Sequence, residues 1–134
     1  MFSGGTSESK NITVGKIGEN LACEYLVNKG YKILVRNYKE KWDEIDIIAR
    51  AKDRTLVFVE VKTLQGPRSA TKELVPEDNL TRAKLHKLRR VCEAFANKNA
   101  DLMNDSKGWR IDLLAIMLKN PITQDFSTRH YENV

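Results

Sequence analysis

A chain of 134 residues, 41% hydrophobic and 31% charged, has the makeup of one globular domain able to bury a core. No apolar stretch reaches the length of a transmembrane helix, and the Ser/Gly/Thr-rich start, Met1 to Lys10, lacks the apolar segment of a secretory signal. The net charge of +5 admits a polyanionic partner without demanding one.

Residues 1–11 read as a flexible tail. The first predicted element is a helix from Thr13 to Lys29. Thr13 or Asn11 can cap its start, and Gly30 can close it in the left-handed position. Ile17, Leu21, Ala22, Tyr25 and Leu26 form its apolar arc, with Glu19 at the margin. Gly15 and Gly18 lie inside this helix, where each costs up to about 1 kcal/mol relative to Ala, so something should approach them closely.

Tyr31 to Asn37 predicts a first strand, and Glu44 to Arg50 a second. After a charged turn, Thr55 to Lys62 predicts a third. Residues 65–79 are a long stretch rich in Pro, Gly and charge, of the kind that is often functional or mobile. A second helix is predicted over Leu80 to Lys98, with Leu85, Leu88, Val91, Cys92 and Phe95 inside. A last strand, Trp109 to Leu118, follows, and no clear period continues past Pro121. The order α-β-β-β-α-β describes a mixed α/β (α+β) domain: a mixed central sheet flanked by helices. Cys23 and Cys92 fall in the helices without metal-ligand spacing, which predicts buried free thiols in a reducing, cytoplasmic compartment.

The chemistry concentrates in two strands. Asp46 sits inside Glu-Ile-Asp-Ile-Ile-Ala, where Asp is disfavoured. Alternation places Leu56, Phe58, Glu60 and Lys62 on one face of the third strand and Val57, Val59 and Val61 on the other. Charges on an apolar face are costly unless they are paired, hydrogen-bonded or metal-bound. Two acids and a lysine in this setting suit a metal-dependent phosphodiester hydrolase; they suit an exposed ion pair at a strand end equally. On the second helix, Arg82, Lys84, Lys87, Arg89 and Arg90 precede any acidic residue. They describe either a solvated face or a phosphate-contacting surface. His86 and His130 are isolated and predict surface or core side chains.

The pattern Gly15-x-x-Gly18-Glu19-x-x-Ala22-x-x-Tyr25-Leu26-x-x-x-Gly30-Tyr31, then Asn37, Glu44-Ile45-Asp46 and Phe58-Val59-Glu60-Val61-Lys62, resembles the YraN-like family of small bacterial proteins. That family is similar to archaeal Holliday-junction resolvases and, by resemblance, to the PD-(D/E)xK nucleases. The resemblance runs from residue 13 to residue 117 and includes Trp109-Arg110-Ile111-Asp112. It implies a restriction-endonuclease-like core over residues 12–120, with 121–134 as a C-terminal tail. It implies Asp46 and Glu60 as acidic ligands of Mg²⁺ or Mn²⁺, the carbonyl of Val61 as a third oxygen, and Lys62 as the lysine beside the attacking water. Glu19 matches the first-helix glutamate of resolvase-like members, while Asp112 is read as structural.

The implied activity is endonucleolytic cleavage of DNA, branched or structured DNA included. Arg82, Lys84, Lys87 and Arg90 would meet the backbone. Related resolvases are similar to two-fold dimers, so a homodimer is among the expectations, and no membrane partner is. Two departures stand out: Trp42-Asp43 where the family has Gly, and Leu64 where a basic residue is common. The alternative from another class is a nucleic-acid-binding protein whose nuclease-like fold no longer cleaves.

Overall fold

Thr13 starts the first helix, α1 (Val14–Asn28), by accepting the Lys16 N–H on its side chain at 3.2 Å. At the other end Gly30 takes φ +94°. There the Gly30 N–H meets Val27 O and the Tyr31 N–H meets Leu26 O, closing the helix with the paired bonds of a Schellman cap. The computed structural model describes residues 13–41, 43–65, 80–104 and 106–134. The predicted N-terminal tail and residues 66–79 of the charged stretch lie outside the described residues.

Among the described residues, five strands form one sheet in chain order: β1 (Lys32–Lys39), β2 (Glu44–Arg50), β3 (Leu56–Gln65), β4 (Trp109–Asn120) and β5 (Asp125–Tyr131). β1/β2, β2/β3 and β4/β5 pair antiparallel, and β3/β4 pair parallel. The parallel pair needs a crossover, and the second helix, α2 (Arg82–Lys98), lies within it.

The helices sit on opposite sheet faces. Leu21, Ala22 and Leu26 of α1 cluster with Ile47, Ala49, Val57, Val59, Leu114 and Ile116. Leu88, Val91, Cys92 and Phe95 of α2 cluster with Ile48, Leu56, Phe58, Ile111 and Leu113. Both covers explain why Leu56 to Val59 is a continuous apolar run rather than an alternating one. Leu80, buried just before the Thr81 cap, and Leu85 at the fourth helical position join the same cluster, in the spacing of a hydrophobic staple. Both cysteines are free; Cys92 is buried and Cys23 half-buried. Among the described residues, no helix is long and apolar enough to cross a membrane.

The segment read as a tail after Pro121 is instead an edge strand. β5 pairs with β4 from Leu113↔Tyr131 to Asn120↔Asp125. Its alternation is hard to read because its anchor is polar. Asp112, fully buried, accepts bonds from Arg110 Nε (2.9 Å), from the Asn133 N–H (2.9 Å) and from His130 Nε2 (2.7 Å). An ionised carboxylate cannot donate, so His130 carries its proton on Nε2 there. In the neutral ring the other nitrogen, 3.2 Å from the Tyr25 hydroxyl, accepts from it. His130 thus ties β5 to both β4 and α1. Burial pushes the Asp112 carboxyl up, but the bonds from His130, Arg110 and Asn133 outweigh it and hold it below the usual carboxylate range.

The two helical glycines differ. A Cβ at Gly18 would land on the Thr63 side chain of β3, whereas one at Gly15 would meet only Thr13 Oγ1 at 3.8 Å. Gly18→Ala should therefore lose about 1–3 kcal/mol through overpacking. Gly15→Ala should gain roughly 0.5–1 kcal/mol from helix propensity. Urea unfolding of the two variants checks this; equal effects would contradict the close approach of α1 to β3.

The lowered Asp112 carboxyl should support the fold above the ordinary carboxylate range and lose that support as pH falls through its depressed value. Removing the carboxylate in Asp112→Ala should cost about 3–5 kcal/mol at neutral pH, because Arg110 and His130 lose a buried partner. Denaturant melts of wild type and variant, which should converge in acid, measure it.

Candidate active site

The paired register of β2 and β3 runs from Arg50↔Leu56 to Ile47↔Val59. One further step would set Asp46 opposite Glu60. Instead β2 continues alongside β1 to Glu44, and β3 continues alongside β4 to Gln65. The sheet opens between β2 and β3, and the Asp46 side chain fills the opening: its Oδ2 accepts the Val61 N–H at 2.8 Å. A side chain thus takes a main-chain donor where the strands part.

The opening leads into a cleft of about 600 Å³. Lys16 and Glu19 of α1, Asn37 of β1, Asp46 of β2, and Val61 and Lys62 of β3 face it. The close approach of Gly18 to Thr63 seats α1 here and brings Glu19 to the cleft. Glu19 is held by Arg36 Nη2 (3.1 Å) and Asn37 Nδ2 (3.0 Å), with Lys16 Nζ at 3.8 Å. Asn37 does this from a left-handed backbone, φ +53°, which Asn tolerates better than most residues.

Glu60 follows the alternation of Leu56 and Phe58 toward the α2 side. Its Oε2 lies 3.1 Å from Lys84 Nζ, and its side chain is 18% exposed. Val61 follows Val57 and Val59 to the α1 side. The fully buried run of β3 ends at Val59, so Lys62 is exposed and does not bear the burial cost expected for a charge on the Phe58 face. Among the described residues Lys62 makes no ion pair. Arg82, Lys84, Lys87 and Arg90 are all exposed on α2; of these, Lys84 reaches Glu60. His86 is an exposed side chain on α2.

The electrostatics single out Asp46. Burial raises its carboxyl first, and the Glu60 charge raises it next. Glu19 and Glu44 add to this against the Val61 N–H, and the result is about 7. A carboxyl in this state exchanges a proton for another cation near neutral pH. Among the described residues, no group of three or more His, Cys, Asp or Glu side chains forms a ready cage. Mg²⁺ characteristically takes one or two carboxylates and keeps several waters. Asp46, Glu60 and the Val61 carbonyl are hard oxygen donors of the type such an ion takes, with Asp46 and Val61 lining the cleft and Glu60 turned to Lys84.

Sequence reasoning missed the placement of four residues: Arg36, Asn37, Lys84 and His130. Arg36 and Asn37, which fix Glu19, carried no periodic signal, although Asn37 was part of the quoted motif. Lys84 was grouped with its basic neighbours; a lysine in a helical first turn, opposed to the helix dipole, was the available sign. His130 was read as isolated because its partners lie far away in the chain.

The described residues thus form a mixed five-stranded sheet with one helix on each face and, where two strands part, a cleft lined by Glu19 and Asp46 together with Lys16 and Lys62. The chain belongs to the uncharacterised protein family UPF0102, the YraN family, whose model matches residues 18–116. It is similar to a UPF0102 protein of Alkaliphilus oremlandii (strain OhILAs), 39% identical over 123 residues covering 92% of this chain and 97% of the relative. A UPF0102 protein of Fervidobacterium nodosum is 39% identical over 132 residues, 98% of this chain and 89% of its own. One from Caldicellulosiruptor bescii is 38% identical over 113 residues, 83% and 89% of the two chains.

The raised Asp46 carboxyl carries a sign opposite to that of Asp112. Its folded value lies above its unfolded one, so its ionisation costs stability as pH rises from about 4 to about 7. In EDTA at pH 8, Asp46→Asn should be more stable than wild type by on the order of 1–3 kcal/mol, with the amide oxygen still accepting the Val61 N–H. The gain should vanish near pH 4. Equal stability at pH 8 would contradict the strained carboxylate.

Proposed function

We propose that the protein is a divalent-metal-dependent endonuclease that hydrolyses phosphodiester bonds in DNA, with branched or structured DNA as the preferred form. The observation that carries the reading is Asp46: a carboxyl raised first by burial and then by neighbouring Glu60 and Glu19, lining a cleft that Lys62 also lines. Perturbed acids gathered in a cleft are a mark of functional sites. The branched-DNA preference rests on the likeness of the motifs to Holliday-junction resolvases.

In this reading Asp46, Glu60 and the Val61 carbonyl hold Mg²⁺ or Mn²⁺. The bound ion supplies Lewis-acid polarisation of the phosphoryl group. Lys62, exposed at the same cleft, orients the attacking water and meets the charge that develops on phosphorus-bound oxygen. Glu19, fixed from two sides by Arg36 and Asn37, presents a carboxylate that can hold an ordered water. The exposed Arg82, Lys87 and Arg90 meet the backbone electrostatically.

The Lys84–Glu60 pair favours a second reading, a nucleic-acid-binding protein that does not cleave, because an ammonium already neutralises one of the two acids. Incubating linear, flapped and four-way DNA with the protein and Mg²⁺ or Mn²⁺ separates the readings. Cleavage is expected, and Lys62→Ala should reduce it by about 10²- to 10⁴-fold while Mn²⁺ binding persists. Tight binding of branched DNA without cleavage under either metal would favour the second reading. Cleavage at the wild-type rate in Lys62→Ala would move the chemistry to other residues.

A further inference from the structure

Helix α2 begins against its own dipole. Its first turn carries Arg82 and Lys84 and no acidic residue, although a helix N-terminus favours negative charge. The Thr81 cap accepts the Lys84 N–H at 3.2 Å and fixes its backbone. From there the side chain reaches over the sheet, and its ammonium stands 3.1 Å from Glu60 Oε2. Arg82 and Lys87, exposed on the same helix, make no ion pair among the described residues. The two ends of the Lys84–Glu60 pair differ in setting: the Glu60 side chain is 18% exposed and the Lys84 side chain 49%. The acid is held in place, and the lysine is half in solvent on a flexible stem. A pair with so exposed a partner contributes little to the fold, so fold stability does not account for a lysine placed there.

We propose that Lys84 belongs to the site as its resident cation: it holds the Glu60 carboxylate while no divalent ion is bound and turns to a backbone phosphate oxygen of the nucleic acid when an ion takes Glu60. This rests on the metal-dependent reading above. A divalent ion on Glu60 places two positive charges beside the ammonium and removes its partner. A lysine suits the exchange, because its compact charge on four methylenes can move several ångströms without a fixed hydrogen-bond geometry. The phosphodiester is then the nearest anion, so metal loading and phosphate contact are coupled through one side chain. Lys84 is thereby set apart from Arg82, Lys87 and Arg90, whose contribution is general attraction.

The test uses the full chain. Mn²⁺ is titrated by calorimetry without DNA, and a four-way DNA junction is titrated by fluorescence anisotropy with and without Ca²⁺. The proteins are wild type, Lys84→Ala, Lys84→Gln, Lys84→Arg and Lys52→Ala. Lys52 lies in the turn at the far end of β2 and β3 from Asp46 and controls for the loss of one charge.

Removing the competing ammonium should tighten Mn²⁺ binding about two- to fivefold in Lys84→Ala and Lys84→Gln, matching the strength of a half-exposed pair. Lys84→Arg should stay near wild type, and Lys52→Ala should not change Mn²⁺ affinity beyond the general charge effect. With Ca²⁺ present, Lys84→Ala should lower the salt dependence of junction binding by about one unit of slope; without Ca²⁺ the loss should be smaller. Mn²⁺ affinity that is unchanged or weaker in both Lys84→Ala and Lys84→Gln overturns the proposal. A wild type that takes up no Mn²⁺ overturns the metal-dependent reading itself, and that result is seen before any substitution is made.

Discussion

The hydrogen bond from the Val61 N–H to Asp46 Oδ2 lets the sheet open between β2 and β3 without leaving a main-chain donor unpaired. A buried amide without an acceptor costs about 1–3 kcal/mol, so strands that part inside a covered sheet need a substitute partner. Asp46 is that partner, and the bond holds its carboxyl at the point of separation. From there it meets the charge of Glu60 from the neighbouring strand and that of Glu19 from α1. The cleft and the raised Asp46 carboxyl both follow from this parting of β2 and β3.

Two close approaches bring the helices to this break. Gly18 lets α1 lie against Thr63, one residue past Lys62, which sets Glu19 at the cleft. On the other sheet face, Leu80 and Leu85 join the core cluster at the start of α2, and the Phe95 ring meets Phe58 near its end, with centroids 5.8 Å apart. That brings Lys84 to Glu60. The two helices bring opposite charges to the sheet, Glu19 of α1 held by Arg36 and Asn37 of β1 and Lys84 of α2 paired with Glu60 of β3.

Two aspartates in this sheet show how environment sorts charged groups. Asp112 is fully buried, yet its carboxyl is lowered, because Arg110, His130 and the Asn133 N–H all donate to it. The Asp46 carboxyl is raised to about 7, first by its burial and then by the charges of Glu60, Glu19 and Glu44, against the single Val61 N–H that donates to it. The satisfied network around Asp112 rigidifies the β4–β5 edge. Asp46, with one donor among several acids, is where an external cation would relieve repulsion.

The sequence by itself determined the elements and their apolar faces. Thr13 and Gly30 bounded α1, the stripe from Leu85 to Phe95 defined the inner face of α2, and the apolar run from Leu56 to Val59 marked β3 as a strand. Each of these signals lies within a few residues of its cause, since caps, helical period and strand alternation are local. The quoted motif residues also gave the family, which the match over residues 18–116 establishes. Only the tertiary structure decided that β2 and β3 part at Asp46 and that Asn37 and Arg36 hold Glu19. It also decided that Lys84 lies on Glu60, and that the segment after Pro121 is a strand held through His130 on Asp112. The physical reason is common to all four: each depends on polar groups far apart in the chain meeting at hydrogen-bond distance, and neither period nor composition encodes which of them will meet.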